Sequence, residues 1–259
     1  MKRHLTVLAV LLAAAAPAGA ADFLPAYAPQ PVEERPDHWT FSFSPYLWIA
    51  GITGDTAVFG LPEVHSDESF GDILKDVDFG FMGAGEARYG DLSILTDISY
   101  ARVTSSDATP RGIVADSISL KQETFTAMVG VGYTILENEQ GRLDAVGGAK
   151  LWWTETTIGF HGGALDGVSG RDEATWVDGI VGFRGVYSLT PTWYLTGWGL
   201  VGAGGADIDW DVMAGVGYKW KDSISAIAGY RALGVNYSSG GLTSDIVEHG
   251  PIVGLVFHF

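Results

Sequence analysis

Nine charged residues fall where strand alternation would turn them all to one side of a sheet: Glu86, Arg88, Asp97, Lys150, Asp178, Arg184, Lys219, Arg231 and Glu248. Their neighbours at the intervening positions are largely apolar, so the charges read as one inward face. Mixed charges projecting into a narrow space have two uses. They line a pore and set its ion selectivity, or they neutralise one another as an internal ion-pair network. An unpaired buried charge costs several kcal/mol, so near-balance of the two signs favours the network.

Other constellations are weaker. The D-I-D-W-D run places Asp207, Asp209 and Asp211 at alternate positions, and the first long loop carries Asp55, Glu63, Asp67, Glu68, Asp72 and Asp76. Such oxygens suit Ca²⁺ or Mg²⁺, but the run lacks the spacing and glycine of a calcium loop and reads as a solvated hairpin tip. Asp97, Asp207, Asp209, Asp211 and His249 would have to converge at an outer rim to make a protease-like site, and no spacing pairs them. His65 and Ser66 are adjacent, so in an extended chain their side chains diverge. No G-x-S-x-G, H-E-x-x-H or phosphate loop is present. No catalytic residue, metal site or cofactor is assigned. His38, His161 and His258 read as interface or loop residues.

The element that must hold the charges is clearest at the end of the chain, V-E-H-G-P-I-V-G-L-V-F-H-F at 247–259. Val247, Val253, Leu255, Phe257 and Phe259 share one parity; Glu248, Gly250, Gly254 and His258 share the other. An apolar strand with nothing after it needs a partner on both edges, and pairing with the first strand supplies one. Alternation predicts ten strands, with eight to twelve as the range: 39–53, 78–89, 92–104, 117–135, 143–158, 173–189, 193–204, 209–221, 223–237 and 247–259. Connections at 90–91, 136–142, 190–192 and 221–222 are short. Those at 54–77, 105–116, 159–172 and 238–245 are longer, and only the turn at 206–208 breaks the trend. The fold class that follows is all-β: a closed antiparallel transmembrane β-barrel with short periplasmic turns.

Composition agrees. The 259 residues include 36 Gly, 12 Phe, 10 Tyr, 9 Trp and no Cys. Glycine permits tight coiling and aromatics supply interfacial girdles. Mean hydropathy is only +0.17, as expected where half of each strand is polar. The net charge of −16 excludes a nucleic-acid role. Residues 1–20 read as a secretory signal: Lys2, Arg3 and His4, then an apolar run from Leu5 to Ala16, then Ala18-Gly19-Ala20. Residues 21–37, with four prolines, read as a flexible periplasmic lead-in, and 38–259 as the barrel. Within the first loop, Ser69 and Asp72 predict a helix cap, and Phe70, Ile73, Leu74 and Val77 then share one apolar face that would constrict the barrel mouth or lie on its rim.

S-P-Y-L-W-I-A-G-I-T-G-D at 44–55 and S-F-G-D-I-L-K-D-V-D-F-G-F-M-G-A-G-E-A-R-Y-G at 69–90 resemble the opening of an uncharacterised proteobacterial outer-membrane β-barrel family of small, porin-like barrels. The match covers the first third of the chain, and the rest follows in pattern. Phe259, with Leu255 and Phe257 at alternate positions before it, is similar to the signal read by the barrel-assembly machinery. The resemblance implies location in the bacterial outer membrane and the barrel architecture, with lipid and lipopolysaccharide as surroundings; the acidic outer loops, by their own charge, suit divalent cations shared with lipopolysaccharide. It implies no activity. The expected function is a structural barrel or narrow passive pore; a surface-interaction module acting through acidic loops is the alternative, and a rim-site hydrolase stands behind both.

Overall fold

The structure, a computed structural model, describes residues 38–57, 62–108 and 115–259. The expected signal and lead-in lie outside the described residues. The strands are β1 (Thr40–Trp48), β2 (Gly51–Ala57), β3 (Val64–Glu68), β4 (Val77–Tyr89), β5 (Leu92–Ala108), β6 (Ser117–Glu137), β7 (Gly141–His161), β8 (Ser169–Ser188), β9 (Trp193–Gly204), β10 (Ile208–Lys221), β11 (Ile224–Ser239) and β12 (Leu242–His258), with a helix α1 (Phe70–Asp76) before β4. Every neighbouring pair is antiparallel.

The sheet closes. β1 pairs with β4 through Phe43↔Gly85 and with β12 through Leu47↔Val253. The last residue completes the seam: Phe41 and Phe259 exchange backbone hydrogen bonds at 3.2 and 2.9 Å. β2 continues the course of β1 along β12 after a bend at Ile49–Ala50. A Cβ at Gly250 would overlap the Ile49 carbonyl, so glycine permits the close approach there. Counting β1 and β2 as one wall strand gives a ten-stranded barrel, with β3 added at its upper edge.

Alternation sorts the faces as the hydrophobic pattern requires. Trp39, Phe41, Phe43 and Leu47, and later Val177, Val181 and Phe183, stay exposed on the outer face. In a membrane that face meets lipid. Leu255 and Phe259 are likewise exposed, and Phe257 opposes Phe43 on the same face. At the end of the barrel with the short turns at 90–91 and 190–192 the rings cluster: Trp39 lies 5.6 Å from Tyr89, and Trp193 lies 4.8 Å from Tyr218.

Two connections differ from expectation. The segment 238–245 is not a loop: β11 and β12 run on to a tight turn at Gly240-Gly241, with φ of 64° and 91°. Two consecutive residues at positive φ make a hairpin turn that matches strand twist, and the glycine pair was its signature. The long loop 54–77 is largely ordered into β2, β3 and α1.

The wall is uneven in height. β8 pairs with β9 only from Asp178 downward, so its upper part, from Ser169 to Val177, rises above the β9–β10 turn. Above that turn Trp176 of β8 stacks on Tyr237 of β11, centroids 4.1 Å apart, and Trp152 stacks behind at 5.5 Å.

Candidate functional site

The inward face forms three layers of charge. Near the short-turn end, Glu86 accepts hydrogen bonds from Arg88 Nε at 2.8 Å, Arg184 Nη1 at 2.6 Å and Arg142 Nη2 at 3.2 Å. Arg88 also donates to Asp144, and Asp144 accepts from Thr134 at 2.7 Å. Lys219 sits at this end over the Tyr194 ring, 5.8 Å from its centroid. The Tyr194 ring itself covers Gly217, where a Cβ would strike it, so a small residue lets the ring lie across the lumen.

The middle layer is centred on Arg231, 3% exposed. It donates to Asp211 at 2.6 and 3.1 Å, to Tyr46 Oη at 2.9 Å and to Asp97 at 3.4 Å. Tyr46 in turn donates to Asp97 at 2.9 Å. The guanidinium lies 4.9 Å from the Trp48 ring and 5.5 Å from that of Trp198. Tyr46, Met213 and Ile252 pack beside it.

In the upper layer Lys150 pairs with Asp209 at 3.0 Å, and Trp152 Nε1 donates to the same carboxylate at 2.7 Å. Asp178, fully buried, accepts from Trp176 Nε1 at 3.0 Å and from the Ala206 amide at 2.8 Å. Leu233, Val235 and Leu242 fill the space around the stacked rings. Glu248 opposes Leu233 across the β11–β12 ladder.

All nine charges named from sequence thus occupy inward strand positions, but four of their partners were not among them. Arg142 falls in the expected turn at 136–142 and Asp144 at the start of the expected strand at 143–158. Asp209 and Asp211 are a correction. They are 1% and 5% exposed and pair with Lys150 and Arg231, whereas a solvated tip was expected. Their parity with Met213 and Gly217 was the available signal; the run of acids obscured it. Only Asp207 is exposed at the turn.

The other candidates stay apart. Asp97, Asp209 and Asp211 point inward, while His249 lies on the outer face bonded to Tyr230 at 2.6 Å. The wall separates them, so the rim constellation does not assemble. His65 is engaged by Asp55 at 2.9 Å. Among the described residues no group of three or more His, Cys, Asp or Glu side chains is placed to hold a metal ion. The helix α1 is capped by Ser69, whose Oγ accepts from the Asp72 amide at 3.3 Å. Hydrogen bonds from Lys75 and Ser69 hold the Asp72 carboxyl below its usual range. Phe70, Leu74 and Val77 are exposed, none of the α1 residues is buried, and the helix touches chiefly β2 and β5.

No protein-family model and no curated protein matches the sequence. Solved structures do. The outer-membrane protease OmpT of Escherichia coli aligns with 88% of this chain and 99% of its own, at 11% identity and a TM-score of 0.52. The translocator domain of the autotransporter NalP of Neisseria meningitidis aligns with 88% of this chain and 91% of its own, at 14% identity and a TM-score of 0.52. At such identity the likeness is one of fold: that of outer-membrane β-barrels.

Proposed function

We propose that this protein is a structural barrel of the bacterial outer membrane with a sealed lumen, of the small proteobacterial family that its opening strands resemble. The observation that carries the reading is Arg231 in the middle of the bore. Two carboxylates and a tyrosine hydroxyl accept hydrogen bonds from all three of its nitrogens, and aromatic rings lie beside it. A continuous water path would have to cross this layer and those above and below it. Ten strands enclose little more than side chains can fill. Six of the nine charges, Glu86, Arg88, Asp97, Lys150, Arg184 and Arg231, stand in ion pairs, which makes them the barrel's packing rather than its ion filter.

Single-channel recording of the refolded mature protein in a planar bilayer tests this. The expected result is no steady conductance, with insertion verified by heat-modifiable gel mobility. Deleting residues 62–76, which removes β3 and α1, is expected to leave the bilayer equally silent, because the block lies in the bore. Steady conductance from the intact barrel would overturn the sealed-lumen reading. Conductance from the deletion alone would make the first loop the seal.

A further inference from the structure

The outer wall changes chemistry within one step of strand alternation. Phe81, Tyr100, Phe125 and Trp153 stand in direct cross-strand register on β4 to β7, all on the outer face. Such a row of rings marks the outer boundary of a lipid-facing band. One outward position higher stand Arg102 on β5, Glu123 on β6 and Glu155 on β7, with Glu173 of β8 in register beyond them, while β4 still carries Phe79 opposite Arg102. Three carboxylates abreast on one face repel one another. Cations separate them: Arg102 lies 2.8 Å from Glu123, Lys121 lies 2.5 Å from Glu123 and 3.8 Å from Glu155, and Arg171 lies 2.7 and 2.8 Å from Glu155 and Glu173.

The two signs differ in depth. The Glu123 and Glu155 side chains are 9% and 8% exposed, whereas those of Arg102, Lys121 and Arg171 are 44%, 37% and 59% exposed. The sunken acids hold the cations in place, and the wall presents positive charge to its surroundings. Only Glu173, 56% exposed, runs against this.

We propose that this patch is a binding site for the phosphate groups of a phosphorylated glycolipid of the outer leaflet. Its height, directly above the ring row, is where lipid phosphates lie. Its cations span four strands, about 14 Å at ~4.8 Å per strand spacing, which suits a headgroup carrying more than one phosphate. Guanidinium and ammonium groups both bond phosphate oxygens strongly. Their pre-existing order lowers the cost of fixing them on binding. Two positions above Lys121, Ser119 and His161 are hydrogen-bonded at 2.9 Å on the same face and offer polar groups at the level of sugar. The lumen has no part in this site, so the sealed-lumen reading and this one fail independently.

The test uses the full mature barrel in phosphatidylcholine nanodiscs, titrated with a diphosphorylated disaccharide lipid and read by native mass spectrometry. The wild-type protein is expected to bind it saturably. Lys121→Gln with Arg171→Gln is expected to bind at least about tenfold more weakly, since bonds to charged groups are lost. Glu173→Gln, which removes the exposed acid, is expected to bind a few-fold more tightly. That gain keeps the test decisive should the double variant fold poorly. Unchanged binding in both variants would overturn the proposal. So would equal binding of the dephosphorylated lipid, or of phosphatidylglycerol at matched charge, which would reduce the patch to general anion attraction. Equally tight binding of inorganic phosphate by the protein in detergent would overturn the assignment to a lipid.

Discussion

Replacing Arg231 by methionine is expected to lower the unfolding free energy of the barrel by about 3–5 kcal/mol, the cost of stranding buried charge when one partner is removed. Arg231 is the cation within ion-pair distance of both Asp97 and Asp211. Without it two carboxylates face each other in a bore walled by Trp48, Trp198 and Met213. Urea unfolding of the protein in lipid vesicles, followed by tryptophan fluorescence, measures the loss. The companion variant Asp97→Asn, Asp211→Asn, Arg231→Met removes the charge of both signs and is expected to recover most of it. If the single replacement costs less than about 1 kcal/mol, the range of an exposed pair, the middle layer is not desolvated. The sealed-lumen reading then loses its support.

The second large effect is expected at Glu86. Its carboxylate receives three arginines, from β4, β7 and β8, and so ties three strands at the short-turn end. Glu86→Gln leaves Arg88, Arg142 and Arg184 with Asp144 as the carboxylate within their layer, an excess of positive charge in a confined space. A loss of about 3 kcal/mol is expected. Adding Arg184→Gln removes one surplus cation and is expected to restore part of that loss, a coupling of about 0.5–3 kcal/mol in a double-mutant cycle. The single variant is also expected to gain more stability from added sulfate than the wild type does, because the anion offsets its surplus positive charge. Strict additivity of the two changes would show that Arg184 acts on its own.

The class of fold was legible because alternation is a local signal. Phe41, Phe43 and Leu47 on one parity and Ser42, Ser44 and Tyr46 on the other say which side faces lipid, and a closed sheet follows from apolar strands at both ends of the barrel. The partners were less legible. Lys150 meets Asp209 across 59 positions of sequence, and Arg231 meets Tyr46 across 185; such meetings depend on stagger between strands, which alternation does not encode. The acidic run misled because three aspartates beside a turn look like solvent chemistry, although Asp209 and Asp211 share the inward parity of Lys219 in the expected strand 209–221. The outer ionic row escaped notice for a related reason. Lys121, Glu123, Glu155 and Arg171 look like ordinary surface charge one strand at a time, and become a patch only when β6, β7 and β8 are laid in register.

The uneven height of the wall has a consequence for time scales. Where β8 rises above the β9–β10 turn, its amides on the side away from β7 have no ladder to hold them, and the stacked rings of Trp176 and Tyr237 stand there instead. Ring stacking resists separation but does not shield an N–H from water. Hydrogen exchange along this edge is expected to be fast, while β7, laddered on both sides over the same height, is expected to exchange slowly. The barrel therefore contains two clocks within one wall, and a deuterium label would record the slow one long after the fast one had run out.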